Sequence, residues 1–369
     1  MDAPGPENPE VLAKYEKAGE IASSVMRSLL AQCSAGAKVL DLCEKGDAML
    51  TKELGSVYTG KVDGKNVPKG ISFPTCVSVN NCVCHNSPLK SDKEQVIASG
   101  DVVKIDLGVH IDGYIGVCAH TVVVGAANAK PAKGRKADVV LAAYKAAHAA
   151  ARMVKPGAKS QDITRAIAVV ADAFKCKPIA DMLSFQTHRF QLNTDKAIIQ
   201  NPTEGSLKSH KECVFEENEV YAIDVLMSSG EGKARLGDAR TTVFKQTDER
   251  YHLRGKHARN LFSEVRRKFH RMPFSLRSCE SEIRARMGAK ECVEHNLLEP
   301  YHVLFERAGE YVAQFRMTVL LLPGGNKIVS KVDFDATAFD SEYDMHEDAL
   351  LKALDPNEPA EPEDSQDKK

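Results

Sequence analysis

Gly100-Asp101-Val102-Val103-Lys104-Ile105-Asp106-Leu107-Gly108-Val109-His110-Ile111-Asp112-Gly113-Tyr114-Ile115-Gly116-Val117-Cys118-Ala119-His120-Thr121-Val122-Val123-Val124 is the stretch that decides the fold. Two β-rich runs, 102–109 and 114–124, flank Ile111-Asp112-Gly113, and Asp-Gly supplies the positive φ that a tight hairpin needs. Asp106 stands among Val103, Ile105 and Leu107. A carboxylate among apolar strand residues is costly unless a cation meets it, so a metal or a basic side chain is expected opposite. The pattern returns at Val220-Tyr221-Ala222-Ile223-Asp224-Val225-Leu226, where Asp224 again follows an Ile in an apolar strand closed by Ser228-Ser229-Gly230.

Working outward, apolar residues at helical spacing predict helices over about 10–33, 38–54, 138–153 and 160–174, and 69–85 reads as a strand with a proline-marked entry. The order helix, helix, strand, hairpin thus occurs twice, over about 10–125 and 136–245. This is an internal pseudo-twofold repeat that would set Asp106 and Asp224 on facing strands of a central cleft. The chain has 369 residues, 43% of them hydrophobic, enough for a large α/β (α+β) core. No apolar run reaches the roughly 18 residues that span a bilayer, and the N-terminus has no signal-peptide core, so a cytoplasmic or nuclear location without membrane insertion is expected. The ten cysteines are scattered and read as reduced thiols. Cys82-Val83-Cys84-His85 lacks a second Cys or His pair at finger spacing and does not read as a zinc site, and no cofactor is expected.

Phe73-Pro74-Thr75, Asn80-Asn81-Cys82, Lys104-Ile105-Asp106-Leu107-Gly108, Val220-Tyr221-Ala222-Ile223-Asp224 and Gln314-Phe315 resemble the signature segments of type-two methionine aminopeptidases, metallopeptidases of the pita-bread fold. The resemblance covers about residues 10–340 and implies that fold. In the active peptidases two Asp, one His and two Glu hold two divalent metals, and a further His assists substrate binding. Position by position, the resemblance implies that Asp106 and the substrate His, His85, are retained and that Asp224 stands for a metal Glu. Val117, Phe185 and Arg316 occupy the places of the second Asp, the His and the bridging Glu. Val117 and Phe185 have no electron pair for a metal, and Arg316 brings a permanent positive charge. The chain therefore reads as a pseudo-peptidase in which Arg316 is the expected partner of Asp106 and Asp224. The alternative is a metal-dependent aminopeptidase with a reduced site.

Longer runs, among them Leu42-Cys43-Glu44-Lys45-Gly46-Asp47, Ser78-Val79-Asn80-Asn81-Cys82-Val83-Cys84-His85 and Ile198-Ile199-Gln200-Asn201-Pro202-Thr203, resemble the proliferation-associated (ErbB-receptor-binding) group. That resemblance implies a non-enzymatic adaptor bound to the large ribosomal subunit and structured RNA. It also implies roles in translation, ribosome biogenesis, transcription and growth, movement between cytoplasm and nucleus, and protein partners including a receptor tyrosine kinase. The chain's own support is a basic segment: residues 250–290 carry twelve Lys and Arg against three Glu, an excess of nine in a chain of net charge −1. Leu261, Phe262, Val265 and Phe269 at helical spacing predict a helix with one face on the body, inside an insertion over about 246–300. Arg254, Lys256, Arg259, Arg266, Arg267, Lys268 and Arg271 are the candidate RNA contacts. Residues 1–9 read as a disordered lead, 10–340 as the pita-bread domain, and 341–369 as a helical stub with a disordered acidic tail. A lysine-rich tail, common in nucleolar members of the group, is not found here, which leaves nucleolar targeting open. No long apolar face calls for an obligate dimer, and a monomer is expected.

Overall fold

The computed structural model describes residues 4–345 apart from Asp63. Helix α1 (Pro9–Leu30) opens with Pro9 in its first turn, and the Asn8 side chain accepts a hydrogen bond from the Glu10 amide. Residues 4–8, read as part of a mobile lead, are held to the body: the Tyr114 hydroxyl donates to the Pro4 carbonyl at 3.1 Å. After α2 (Val39–Ser56) come β1 (Lys69–Val79), β2 (Cys82–Cys84), β3 (Val102–Ile111) and β4 (Tyr114–Val123). The β3–β4 turn has Asp112 at φ 56° and Gly113 at φ 85°, the two left-handed residues that Asp-Gly favours. Helices α3 (Arg135–Met153) and α4 (Ser160–Ala173) lead to β5 (Leu183–Gln186), β6 (Ala197–Ile199), the short α5 (Glu204–Ser209) and β7 (Val220–Ser228).

Strand β8 (Val243–Gln246) is followed by α6 (Lys256–Lys268), β9 (Phe274–Ser275), α7 (Glu282–Glu294) and β10 (Leu298–Tyr301), and the chain returns through β11 (Val312–Leu322) and β12 (Gly325–Ile328). The central antiparallel sheet runs in spatial order β6-β5-β7-β11-β4-β3-β1, with β12 on β11. Two expectations are corrected here. The second half of the repeat does not close at 245, because β7 pairs over its whole length with β11, from Val220 opposite Leu320 to Ser228 opposite Val312. Strand β8 instead joins β9 and β10 beneath α6 and α7. Asp106 and Asp224 also do not lie on strands that face each other across a cleft. They lie in one sheet, on β3 and β7, with β4 and β11 between them.

Alternation along the strands sorts the faces. Val103, Ile105, Leu107, Val109 and Ile111 of β3 pack under α1 and α2, and Tyr221, Ile223, Val225 and Met227 of β7 pack under α3 and α4. The even-numbered residues of these strands, Asp106 and Asp224 among them, therefore face away from the helices. Gly116 of β4 lets α1 lie directly on the sheet: a Cβ there would come 2.6 Å from the Ala18 carbonyl carbon. A separate apolar cluster of Leu253, Leu261, Val265, Phe274 and Cys292 joins α6 and α7 to the strands beneath them. Residues 341–345 rest on α3, where the Lys145 ammonium meets Asp344 and the Met345 carbonyl. The helical stub and acidic tail expected beyond them, over 346–369, lie outside the described residues.

Candidate functional site

Strand register builds the cleft. Asp106 pairs with Ala119, Ala119 with Arg316, and Arg316 with Asp224, so four residues of β3, β4, β11 and β7 form one row across the sheet. Ala119 contributes only a methyl group, and the Arg316 side chain spans the space it leaves. Its Nη1 donates to both Asp106 oxygens, at 3.2 and 3.4 Å, while Nε lies 3.6 Å from Asp224 Oδ2, an ion-pair distance without a hydrogen bond. The side chains of Arg316 and Asp106 are each 8% exposed and that of Asp224 16%. Gln314 Nε2 donates to Asp224 Oδ1 at 2.8 Å, and the Arg316 guanidinium carbon lies 5.2 Å from the centre of the Phe73 ring.

Two carboxylates share one guanidinium, and the buried group would carry a net charge of −1 with both ionised. Desolvation raises the pKa of Asp106 to about 7; Arg316 pulls it down and the Asp224 charge pushes it up. Desolvation raises Asp224 as well, opposed by Arg316 and by the Gln314 hydrogen bond. Burial thus pushes both carboxylates toward the protonated form, and the guanidinium between them pulls both back.

The remaining candidate positions lie around this row. Val117, fully buried two residues before Ala119, packs with Phe73, Ile115 and Ala222. Phe185 pairs with Ala222 and so borders Asp224 on the same face. His85, at φ 64°, donates from Nδ1 to the His302 carbonyl, 3.0 Å away, and its ring meets Tyr301 edge-on at 5.2 Å. Burial lowers its pKa to about 4, so the imidazole is neutral at neutral pH. Among the described residues no three His, Cys, Asp or Glu side chains are grouped to hold a metal ion.

The basic segment forms a second candidate surface, away from the triad. Arg254, Lys256, Arg259, Arg266, Arg267, Lys268 and Arg271 are all exposed. Leu261 and Val265 of α6 are buried beneath them, and Phe262 and Phe269 are half-buried. Arg267 meets Glu280 at 2.8 Å and Arg271 meets Asp248; such exposed pairs hold their charges loosely and can re-pair with a ligand. Arg277 is different. Its side chain, 6% exposed, turns inward to Asp47 at 2.6 Å and to the Ser87 hydroxyl at 2.9 Å, so it belongs to the scaffold.

Sequence comparison now places this geometry. The profile of metallopeptidase family M24 matches residues 13–243. The chain belongs to that family. Within M24 it is 46% identical over 327 residues to an ErbB-3 binding protein 1 of Solanum tuberosum, covering 88% of this chain and 82% of that protein. It is 41% identical over 326 residues to the curved DNA-binding protein of Schizosaccharomyces pombe, covering 88% and 84%. Among solved M24 structures, a thermophilic Arx1 superposes with a TM-score of 0.85 at 29% identity, covering 94% of this chain and 98% of that one. The resemblance to the proliferation-associated group and the pita-bread fold are thereby established. No helix of the described residues is long and apolar enough to cross a membrane.

Three features of this M24 site were not found by reading the residues one at a time. Ala119 is invisible without the register that shows how much room a methyl group leaves. The Ser184 hydroxyl, which accepts from the Asp224 amide at 2.8 Å and fixes the strand carrying the carboxylate, had no local signal. Arg277 reads in sequence as one more basic residue, and only its pairing with a carboxylate 230 positions earlier separates it from the exposed set.

Proposed function

We propose that this M24 protein is a non-enzymatic adaptor that binds structured RNA on the large ribosomal subunit. The observation that carries the reading is the guanidinium of Arg316 lodged between Asp106 and Asp224. A permanent cation within 3.2 Å of a carboxylate occupies the space and the charge that divalent metals would need. Val117 and Phe185, on the same face, offer no donor atoms. The residues present therefore do not fit a dinuclear centre, and no water is activated nor carbonyl polarised. Residues 246–300 act as an inserted unit whose exposed cations neutralise phosphates, a mode suited to folded RNA recognised by shape. A relative named for DNA binding supports contact with nucleic acid by this branch of the family. The same reading places the protein in the cytoplasm and the nucleus, as a monomer that regulates translation, ribosome assembly and growth.

Co-sedimentation of the full chain with purified large ribosomal subunits tests this. Binding should weaken steeply as salt rises, with log K falling linearly in log salt. Failure to sediment at low salt would remove the main support. A Met-peptide hydrolysis assay after loading with cobalt or manganese should show no turnover; turnover would instead establish the reduced peptidase site.

A further inference from the structure

The segment that joins β8 to α6 carries an aromatic ring in an unusual setting. Tyr251 is 44% exposed and is the sole aromatic among the large apolar side chains left exposed in the described residues. Its ring does not hang free: it is stacked on His295, with centroids 3.6 Å apart and planes within 14°. Two recesses, of about 630 and 560 Å³, meet at this ring, and Phe262 and Arg266 line both. Arg266 has no hydrogen bond or ion pair among the described residues, unlike its neighbours Arg267 and Arg271. An exposed ring held flat by a second ring, a half-buried phenyl beside it and an uncommitted guanidinium form a small, preorganised group. They suit a ligand with a flat face and a negative charge.

We infer that Tyr251, with Phe262 and Arg266, is a base-stacking site for an unpaired nucleotide of RNA. This rests on the RNA-binding reading above and adds to it. The exposed cations of the insertion need only phosphates, whereas an aromatic platform gains contact only from a base out of its helix. Bases within a duplex are stacked on their neighbours and cannot present a face to Tyr251. Stacking on a ring is tolerant of sequence, because every base has a π-face, and Arg266 adds either a phosphate contact or a second stacking plane. The recesses on either side have the size of ordinary small-molecule sites and so admit a nucleotide. The site thus selects loops, bulges and single strands over uninterrupted helix, on a surface whose other contacts do not discriminate.

The test compares a single-stranded oligoadenylate with a blunt RNA duplex of the same length, both against the full chain. Replacing Tyr251 by Ala should weaken the single strand about 5- to 150-fold, the range for losing one stacked base, and leave the duplex unchanged. Tyr251→Phe should keep wild-type binding of both, since the ring and not the hydroxyl does the stacking. The chain contains no tryptophan, so Tyr251→Trp installs a single tryptophan, excited at wavelengths where the tyrosines do not absorb, whose emission oligoadenylate should quench and the duplex should not. Equal losses on both probes in Tyr251→Ala, or an unquenched Trp with oligoadenylate bound, would overturn the stacking site while leaving phosphate binding in place. Wild-type protein that binds neither probe would overturn the RNA reading itself.

Discussion

Arg316→Ala is expected to lower the unfolding free energy by about 3–5 kcal/mol, the usual consequence of removing one partner from a buried charge pair. The variant leaves Asp106 and Asp224, with two strands between them in one row of the sheet, without their shared cation in a site with little access to water, and each must then be solvated poorly or protonated. Loss of the guanidinium's packing on Phe73 adds to the effect. Urea unfolding at two pH values separates the electrostatic part from the packing part. Because Arg316 holds both carboxylate pKa values down, its removal lets them rise, and protonation relieves the repulsion. The gap between variant and wild type should therefore shrink as the pH falls. Changing Asp106 and Asp224 to Asn in the Arg316→Ala background should restore most of the stability, since a neutral site has no unpaired charge. An Arg316→Ala protein with an unchanged urea midpoint would mean that the carboxylates find their stabilisation elsewhere, and the pseudo-peptidase reading would lose its physical basis.

The wild-type triad also has a pH signature of definite sign. With Asp106 raised from 3.8 to about 7, the folded state binds its proton more tightly than the unfolded chain does. Its contribution is complete below the unfolded value and is lost as the pH rises through the folded one. Half-buried His85 and the buried His110 and His120, each pushed down to about 4 by desolvation, act in the opposite sense over an overlapping window: their contribution is present above 6.5 and lost as the pH falls. A bare wild-type profile therefore sums opposed slopes. Subtracting the profile of Asp106→Asn isolates the carboxylate, and that difference should decline from acid toward neutral pH.

Much of this was legible because it is local. The Asp-Gly turn, the apolar alternation around Asp106 and the helical spacing of Val11, Tyr15, Ala18 and Ile21 each constrain the few residues beside them, and the helices and the hairpin follow. The counter-charge for Asp106 was legible for a different reason: a carboxylate in an apolar strand demands a cation, and Arg316 is the cation at the matching motif position. What could not be read was long-range pairing. Nothing near Val220–Ser228 says that its partner strand lies beyond α6 and α7, because register is set by which surfaces close together and not by neighbours in the chain. The same gap hid the direction of Arg277. Tyr251 escaped notice because an exposed tyrosine in a loop has no signal until its ring is seen lying flat on His295.

Reversing Arg266, Arg267, Lys268 and Arg271 to Glu should have the largest effect on binding. Each neutralised phosphate adds about 0.9 to the salt slope, so losing four contacts should flatten it by roughly 3–4. At moderate salt that corresponds to an affinity loss on the order of 10³-fold or more, since each contact releases counterions into a dilute bath. Folding needs its own control. Three of these residues lie in the last turn of α6, where cations complement the helix dipole, and Glu there would also repel Glu280, Asp248 and Glu264. Replacement of the same four residues by Gln removes the charge without adding like-charge repulsion. Co-sedimentation should then rank wild type above the Gln variant and the Gln variant above the Glu variant, with the Gln variant keeping the wild-type thermal midpoint within a few degrees. A Gln variant that sediments as well as wild type, with the same salt slope, would move the ribosome contact off this face of the insertion. If the slope instead falls in step with the number of charges removed, the exposed end of α6 is where the phosphates sit, and Arg277, held inward by Asp47, should contribute nothing to it.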